Sequence, residues 1–356
     1  MATLTSSTLN LYCWTGSFDS QPTSAQYTIT KKNPDSNNVI RFEIGELVQD
    51  YIDVEFDNNY SSIKTTCWWY YTKTSEYSDL LTPITSTAYG LATKGYSYFE
   101  DGLNSTLSTS KMFSNSYLYI PENIQYYIPV YKGPNGVTNV IFYTKDSGGT
   151  ESVADSKSVA PISGLPGTEN SNDYISYVSS TVQASKIEII STNTSASTYS
   201  SEKGTATETV YPVFLDCSKY TNYKISFINK FGAVQDLYFN RKRTDLFNTK
   251  RDSYGTSIIK SSTTGVSYNK YNPTNIVQDV GTKKSITLNT GFLKDEYNEV
   301  IRELFQSEDV WIRENSRTVP VNIKDTNFTY KTHLNDKLVN YTVKFEYAFD
   351  GINNIR

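Results

Sequence analysis

The sequence contains one histidine, His333, in 356 residues, so no multi-histidine zinc or iron site can form within a single chain. Its three cysteines, Cys13, Cys67 and Cys217, are isolated, with no Cys-x-x-Cys pair. That sparse, odd count argues against a disulfide framework and fits synthesis in a reducing cytoplasm. No run of about 18 apolar residues occurs, so no membrane-spanning helix is expected. The opening stretch Met1–Ser7 lacks a basic and then an apolar region, so no signal peptide is expected either. Charge is scarce as well: charged residues make up 20% of the chain, against about 25% in an average globular protein. Lys and Arg number 33 and Asp and Glu 37, a net charge of −4. A non-specific nucleic-acid or anionic-membrane binder would carry a cationic excess, and none is present.

Ser, Thr, Asn and above all Tyr fill the place of charge. Thirty tyrosines bring the aromatic fraction to 14%, enough amphipathic bulk to form real cores. A chain of this length is expected to hold two or three domains.

Most of the chain reads as β. Short alternating runs of Tyr, Ile, Val, Thr and Phe are separated by Gly, Asn, Asp, Ser and Pro clusters. Val39 to Ile44 alternates and passes into Gly45–Ile52, where Leu47, Val48, Tyr51 and Ile52 allow a turn or two of helix. Ile63 to Thr72 reads as a strand with aromatics on both faces. Ile128–Tyr131 and Val137–Tyr143 flank Lys132–Gly136, and the Asn-Gly within it predicts a hairpin. Residues 1–146 are therefore expected to form one or two β-sandwich-like units.

Composition shifts beyond that point. Residues 151–209 contain 14 Ser and 8 Thr in 59 positions, so 147–209 reads as a Ser/Thr-rich linker with short strands. Residues 210–356 read as an α+β domain. Tyr223–Asn229 and Val234–Phe239 form a strand pair around the turn Phe231–Ala233. Between Leu293 and Gln306, Tyr297, Val300, Ile301, Leu304 and Phe305 make one apolar stripe at helical spacing. Tyr341 to Phe349 is the cleanest amphipathic strand, with Tyr341, Val343, Phe345, Tyr347 and Phe349 on one face. The fold class is thus mainly β, with one amphipathic helix on a C-terminal antiparallel sheet.

Catalytic chemistry finds little purchase. His333 lies in the turn-like stretch Tyr330–Asp336, and no Gly-x-Ser-x-Gly elbow presents a nucleophile to it. Acidic pairs such as Glu43/Glu46, Glu100/Asp101 and Asp295/Glu296/Glu299 arise readily at this abundance, and the last suits the start of a helix. Asp53, Glu55 and Asp57 alternate vaguely like a calcium loop but lack its glycine and its terminal glutamate. Neither G-x-x-x-x-G-K-S/T nor G-x-G-x-x-G occurs. No enzymatic activity, metal or cofactor is expected.

Two features point to binding. Trp68, Trp69, Tyr70 and Tyr71 are four adjacent aromatics on one strand. They read equally as a subunit interface or glycan-stacking platform, and as a strand buried on both faces. Arg241, Lys242 and Arg243, with Lys250 and Arg251, read as a solvated loop or as a contact with an acidic neighbouring subunit.

Several strings carry a resemblance. Ile225–Ala233, Leu288–Phe292, Glu296–Glu299, Leu304–Ile312, Val319–Lys324 and Asn335–Ala348, with Phe42–Ile52, resemble structural proteins of tailed bacteriophages, especially phages of Bacteroidota. About half the chain is covered, and none of these strings is a catalytic motif. The resemblance implies a virion structural protein of the tail or baseplate, assembled in the bacterial host cytoplasm. Its implied partners are other virion proteins and further copies of itself in a symmetric ring. A carbohydrate- or receptor-binding module, and a head decoration or head-to-tail connector protein, are the alternatives.

Overall fold

The computed structural model describes residues 3–102, 111–134, 136–162, 167–191, 208–215, 219–325, 327, 329–330 and 338–351. His333 and Cys217 lie outside these residues. Among these residues the fold is mainly β, with several antiparallel sheets and two α-helices.

The N-terminal part comprises β1 (Leu4–Trp14), β2 (Tyr27–Lys32), the short helix α1 (Gly45–Asp50), β3 (Thr66–Tyr77) and β4 (Ile84–Thr93). They form an antiparallel sheet in the order β2-β1-β3-β4. Leu9, Leu11 and Cys13 of β1 and Cys67 of β3 pack on Val48 and Ile52. Val39 to Ile44 alternates in sequence but pairs with no strand.

In the middle region lie β5 (Tyr117–Pro121), β6 (Tyr126–Tyr131), β7 (Val137–Lys145) and β8 (Glu151–Ser158). They are followed by β9 (Ile175–Ser180), β10 (Lys186–Ser191) and β11 (Glu208–Leu215). Five of these make a sheet in the order β5-β11-β10-β7-β8, parallel only at β5–β11. Strands β6 and β9 form a separate ladder. Ile128, Val130 and Val178 of that ladder bury against Val140, Phe142, Ile187 and Ile189 of the sheet, which gives a sandwich-like core. The Lys132–Gly136 turn does not close the expected hairpin: β6 pairs with β9, whereas β7 pairs with β8 and β10. Strands β6 and β7 thus lie in different layers. Each layer has an apolar face to bury, so the turn makes a corner.

The C-terminal part begins with β12 (Tyr223–Ile228), β13 (Val234–Phe239), β14 (Thr244–Gly255), β15 (Ile259–Ser262) and β16 (Gly265–Tyr268). It continues with β17 (Asn275–Asn289), β18 (Leu293–Lys294), α2 (Tyr297–Gln306), β19 (Val310–Glu314), β20 (Arg317–Ile323), β21 (Leu338–Val339) and β22 (Thr342–Tyr347). Seven strands form one antiparallel sheet in the order β13-β12-β19-β20-β22-β17-β14. The β12–β13 hairpin is closed by Asn229, whose side-chain oxygen accepts from the N–H groups of Phe231 and Ala233 at 3.1 Å each. Gly232 completes the turn at φ 78. A Cβ there would lie 2.7 Å from Thr93 Cβ, so the backbones meet where only glycine fits.

Helix α2 begins at Tyr297, with its apolar stripe, and not at the expected Leu293, because Leu293 and Lys294 pair instead with Val339 and Leu338. Its stripe of Tyr297, Val300, Ile301 and Leu304 packs on Ile225, Phe227, Leu288 and Phe345. The opposite face of the sheet, through Ile228 and Trp311, closes the N-terminal core. A polar hub pins the two regions together. Tyr60 donates to Asp236 at 2.5 Å, Ser226 donates to the other carboxylate oxygen at 2.6 Å, and Lys224 lies 3.5 Å away.

Candidate assembly surface

One part of the molecule has no core. Strands β14 and β17 pair over twelve registers, from Thr244↔Thr287 to Gly255↔Asn275. Only Ser285–Asn289 of β17 also pair with β22. From Lys250↔Gly281 outward, the two strands leave the body as a ribbon, about 20 Å long at 3.3 Å per residue. The β15–β16 hairpin forms its end. All twelve residues of β14 are exposed. Its outer edge carries no ladder among the described residues.

An isolated two-stranded ribbon is marginal in water, and a long exposed edge invites pairing with other chains. This one also carries apolar side chains into solvent: Phe247 (63% exposed), Tyr254, Ile259, Val266 (72%), Tyr268 and Tyr271 (94%). Large exposed apolar groups clustered on one projection mark an interaction surface. The bulge between Asp252 and Ser253, together with Lys250 and Arg251, interrupts the flat edge, as natural edges do to discourage indiscriminate pairing.

The root of this arm is fixed. Glu314, at the end of β19, accepts from the Tyr347 hydroxyl at 2.6 Å. Lys284 of β17 and Arg243, just before β14, lie 3.5 and 3.7 Å from the same carboxylate. Burial pushes this carboxyl up, but the Tyr347 bond and the two cations outweigh it and hold it below the usual carboxylate range. Beside this hub, Phe247, Lys284, Arg317, Tyr347 and Phe349 line an open cleft of about 530 Å³. Strands β17, β19 and β22 and the start of β14 thus meet at one ion-pair network at the root of the ribbon.

The basic residues read from sequence divide between root and ribbon. Arg241, Lys242 and Arg243 are exposed in the β13–β14 connection. Arg243 also pairs with Asp245 at 3.4 Å and lies over the Tyr223 ring. Lys250 and Arg251 stand in β14 itself.

The aromatic cluster lies elsewhere, in the centre of the N-terminal sheet. Trp68 is 2% exposed. Its ring meets Phe18 at 5.2 Å and Tyr174 at 5.3 Å edge-on, and its N–H donates to the Gly16 carbonyl at 3.0 Å. Tyr70 packs on the same side, 5.7 Å from Tyr12. Trp69 and Tyr71 are half-buried on the other side, stacked at 6.0 Å, and belong to the N-terminal core. Trp69 also lies flat on Gly90, where a Cβ would come within 2.7 Å of its ring.

Among the described residues no group of three or more His, Cys, Asp or Glu is placed to hold a metal ion. No helix of these residues is long and apolar enough to cross a membrane. Burial pushes the Cys13 thiol up to about 11 and the Cys67 thiol up to about 12, so neither is a ready nucleophile. The chain matches no family model, no curated protein and no solved structure.

Proposed function

We propose that this chain is a structural subunit of a tailed-phage particle, placed in the tail or baseplate. It acts by oligomerising and by docking to neighbouring virion proteins, following assembly in the bacterial host cytoplasm. The observation that carries this reading is the uncovered ribbon of residues 250–281 on a fixed root. A subunit that works alone gains nothing from holding Tyr254, Tyr268 and Tyr271 in water, whereas an interlocking subunit gains apolar burial when a neighbour covers them. The resemblance of the Ile225–Ala233, Leu304–Ile312 and Asn335–Ala348 strings to phage structural proteins supports the same reading.

Mass spectrometry of purified particles tests it. Peptides of this chain are expected at a constant ratio to the major structural proteins after gradient purification. Complete, infectious particles without such peptides would overturn the reading.

A further inference from the structure

We infer that the arm's partner is a second copy of this chain, and that the basic arm of one copy lies along the acidic segment 43–57 of the next. The inference rests on the assembly reading above and names the surface it uses.

Charge is divided unevenly between arm and body. The arm together with its root, residues 241–284, holds nine Lys and Arg against three Asp, a net +6, of which the ribbon 250–281 carries four against two. The other 312 residues hold 24 against 34, a net −10. Two arms laid side by side would bring like charge together, so arm-on-arm pairing is disfavoured and arm-on-body pairing favoured. The body's negative charge has a focus. Between Phe42 and Ile63 there is no Lys or Arg, while Glu43, Glu46, Asp50, Asp53, Glu55 and Asp57 are all exposed.

Local structure explains why three of those six carboxylates face water in a row. In Ile52–Phe56 the apolar residues Ile52, Val54 and Phe56 are buried at alternate positions. That alternation turns Asp53, Glu55 and Asp57 outward at every second residue. Residues 52–57 belong to no sheet, so this half of the acidic segment presents a short extended rail of strand-like period, while Glu46 and Asp50 stand on α1. A ribbon bearing Lys250, Arg251, Lys260 and Lys270 has matching form and opposite charge. Tyr51, 37% exposed at the edge of the rail, gives the arm's tyrosines an apolar partner.

Magnitudes assign the roles. Exposed ion pairs contribute about 0–1 kcal/mol each, so affinity comes mainly from covering the arm's apolar side chains. Charge selects the partner surface, speeds encounter and makes the contact salt-sensitive. Arm and rail are different surfaces, so the contact is head-to-tail, and repetition closes a ring where the rotation permits.

A charge swap tests this on the full chain, by sedimentation velocity at about 50 mM salt, where screening is weak. The arm variant carries Lys250→Glu, Arg251→Glu and Lys270→Glu. The rail variant carries Glu43→Lys, Asp53→Lys and Glu55→Lys. All six sites are exposed, and circular dichroism checks that both variants fold. Each variant alone is expected to associate at least about tenfold more weakly than the unaltered chain. A one-to-one mixture, which restores opposite charge at every contact, is expected to recover assembly. If the unaltered chain assembles but the rail variant assembles equally well, or the mixture fails to recover, the inference is overturned and the assembly reading stands. An unaltered chain that stays monomeric at all concentrations overturns self-assembly itself.

Discussion

Trp68→Ala is expected to destabilise the protein by about 4 kcal/mol, within the range for emptying a buried aromatic site. Trp68 is 2% exposed and is enclosed by Phe18, Tyr174 and Trp14. Its indole closes the contact between the first sheet and the Ser171–Tyr174 turn. The same region is held by Thr66, whose hydroxyl donates to the Ser171 carbonyl at 2.6 Å, and by Ser171 N–H on the Gly16 carbonyl at 2.9 Å. Removal of the ring therefore leaves a cavity between two parts of the chain that cannot collapse independently. Urea unfolding of the variant and the unaltered chain measures the difference. A loss under about 1 kcal/mol would mean the ring is not part of the core and would reopen its use as a platform.

The second large effect depends on pH. Glu303 of α2 is fully buried. Burial pushes its carboxyl up to about 7, against the opposing pull of the Ser114 hydroxyl and Lys230, while Glu299 adds to the rise. Ser114 donates to Oε1, and no hydrogen bond reaches Oε2 within 3.5 Å among the described residues. Tyr96, whose hydroxyl reaches the Glu303 carbonyl at 3.5 Å, completes the surroundings.

A carboxyl raised in the folded state binds its proton more tightly there than in the unfolded chain. Stability is therefore intact below the unfolded value of about 4.5, falls as pH rises towards 7, and stays reduced above it. A shift of this size amounts to about 3 kcal/mol. Glu303→Gln keeps the shape and the acceptor for Ser114 without the ionisation. It is expected to match the unaltered chain at about pH 4.5 and to exceed it by about 3 kcal/mol at about pH 8. Denaturant unfolding at the two pH values measures both arms. Parallel pH dependence in the two proteins would show that Glu303 ionises without cost, and hence that it is hydrated.

The parts of the fold that were legible in the sequence are those with one dry face. The stripe Tyr297–Leu304 and the alternation Val343–Phe345–Tyr347 exist because each element buries one side against a common core. The arm was not legible for the same reason. Among the twelve residues of β14 only Leu246, Phe247 and Tyr254 are large and apolar, and they do not alternate, because neither face is covered. Lys250 and Arg251 accordingly read as loop residues and turned out to lie in a strand. Pairing partners were also beyond local reading. The Lys132–Gly136 turn carries a hairpin signal, yet the choice of β9 for β6 is made by the sandwich core around Ile128 and Val178. Trp68–Tyr71 read equally as covered or open. Phe18 and Tyr174, which enclose Trp68, lie 50 and 106 positions away, too far for any local pattern to register.

The cluster Arg241–Arg243 reads from sequence as a solvated loop or as a contact with an acidic neighbouring subunit, and in the structure it is exposed at the root of the arm. The projection itself followed only from the register of β14 on β17 beyond the end of β22.

The most direct test of the account is the solution mass of the full chain beside a version in which residues 250–281 are replaced by a two-residue Asn-Gly turn, measured by sedimentation over a range of concentrations. The root at Glu314, Lys284 and Arg243 is untouched by that change, so the body is expected to keep its circular dichroism spectrum. The account predicts that the full chain sediments as an oligomer and the shortened chain as a monomer. Equal masses for the two, with both proteins folded, would contradict the claim that the arm joins one subunit to the next.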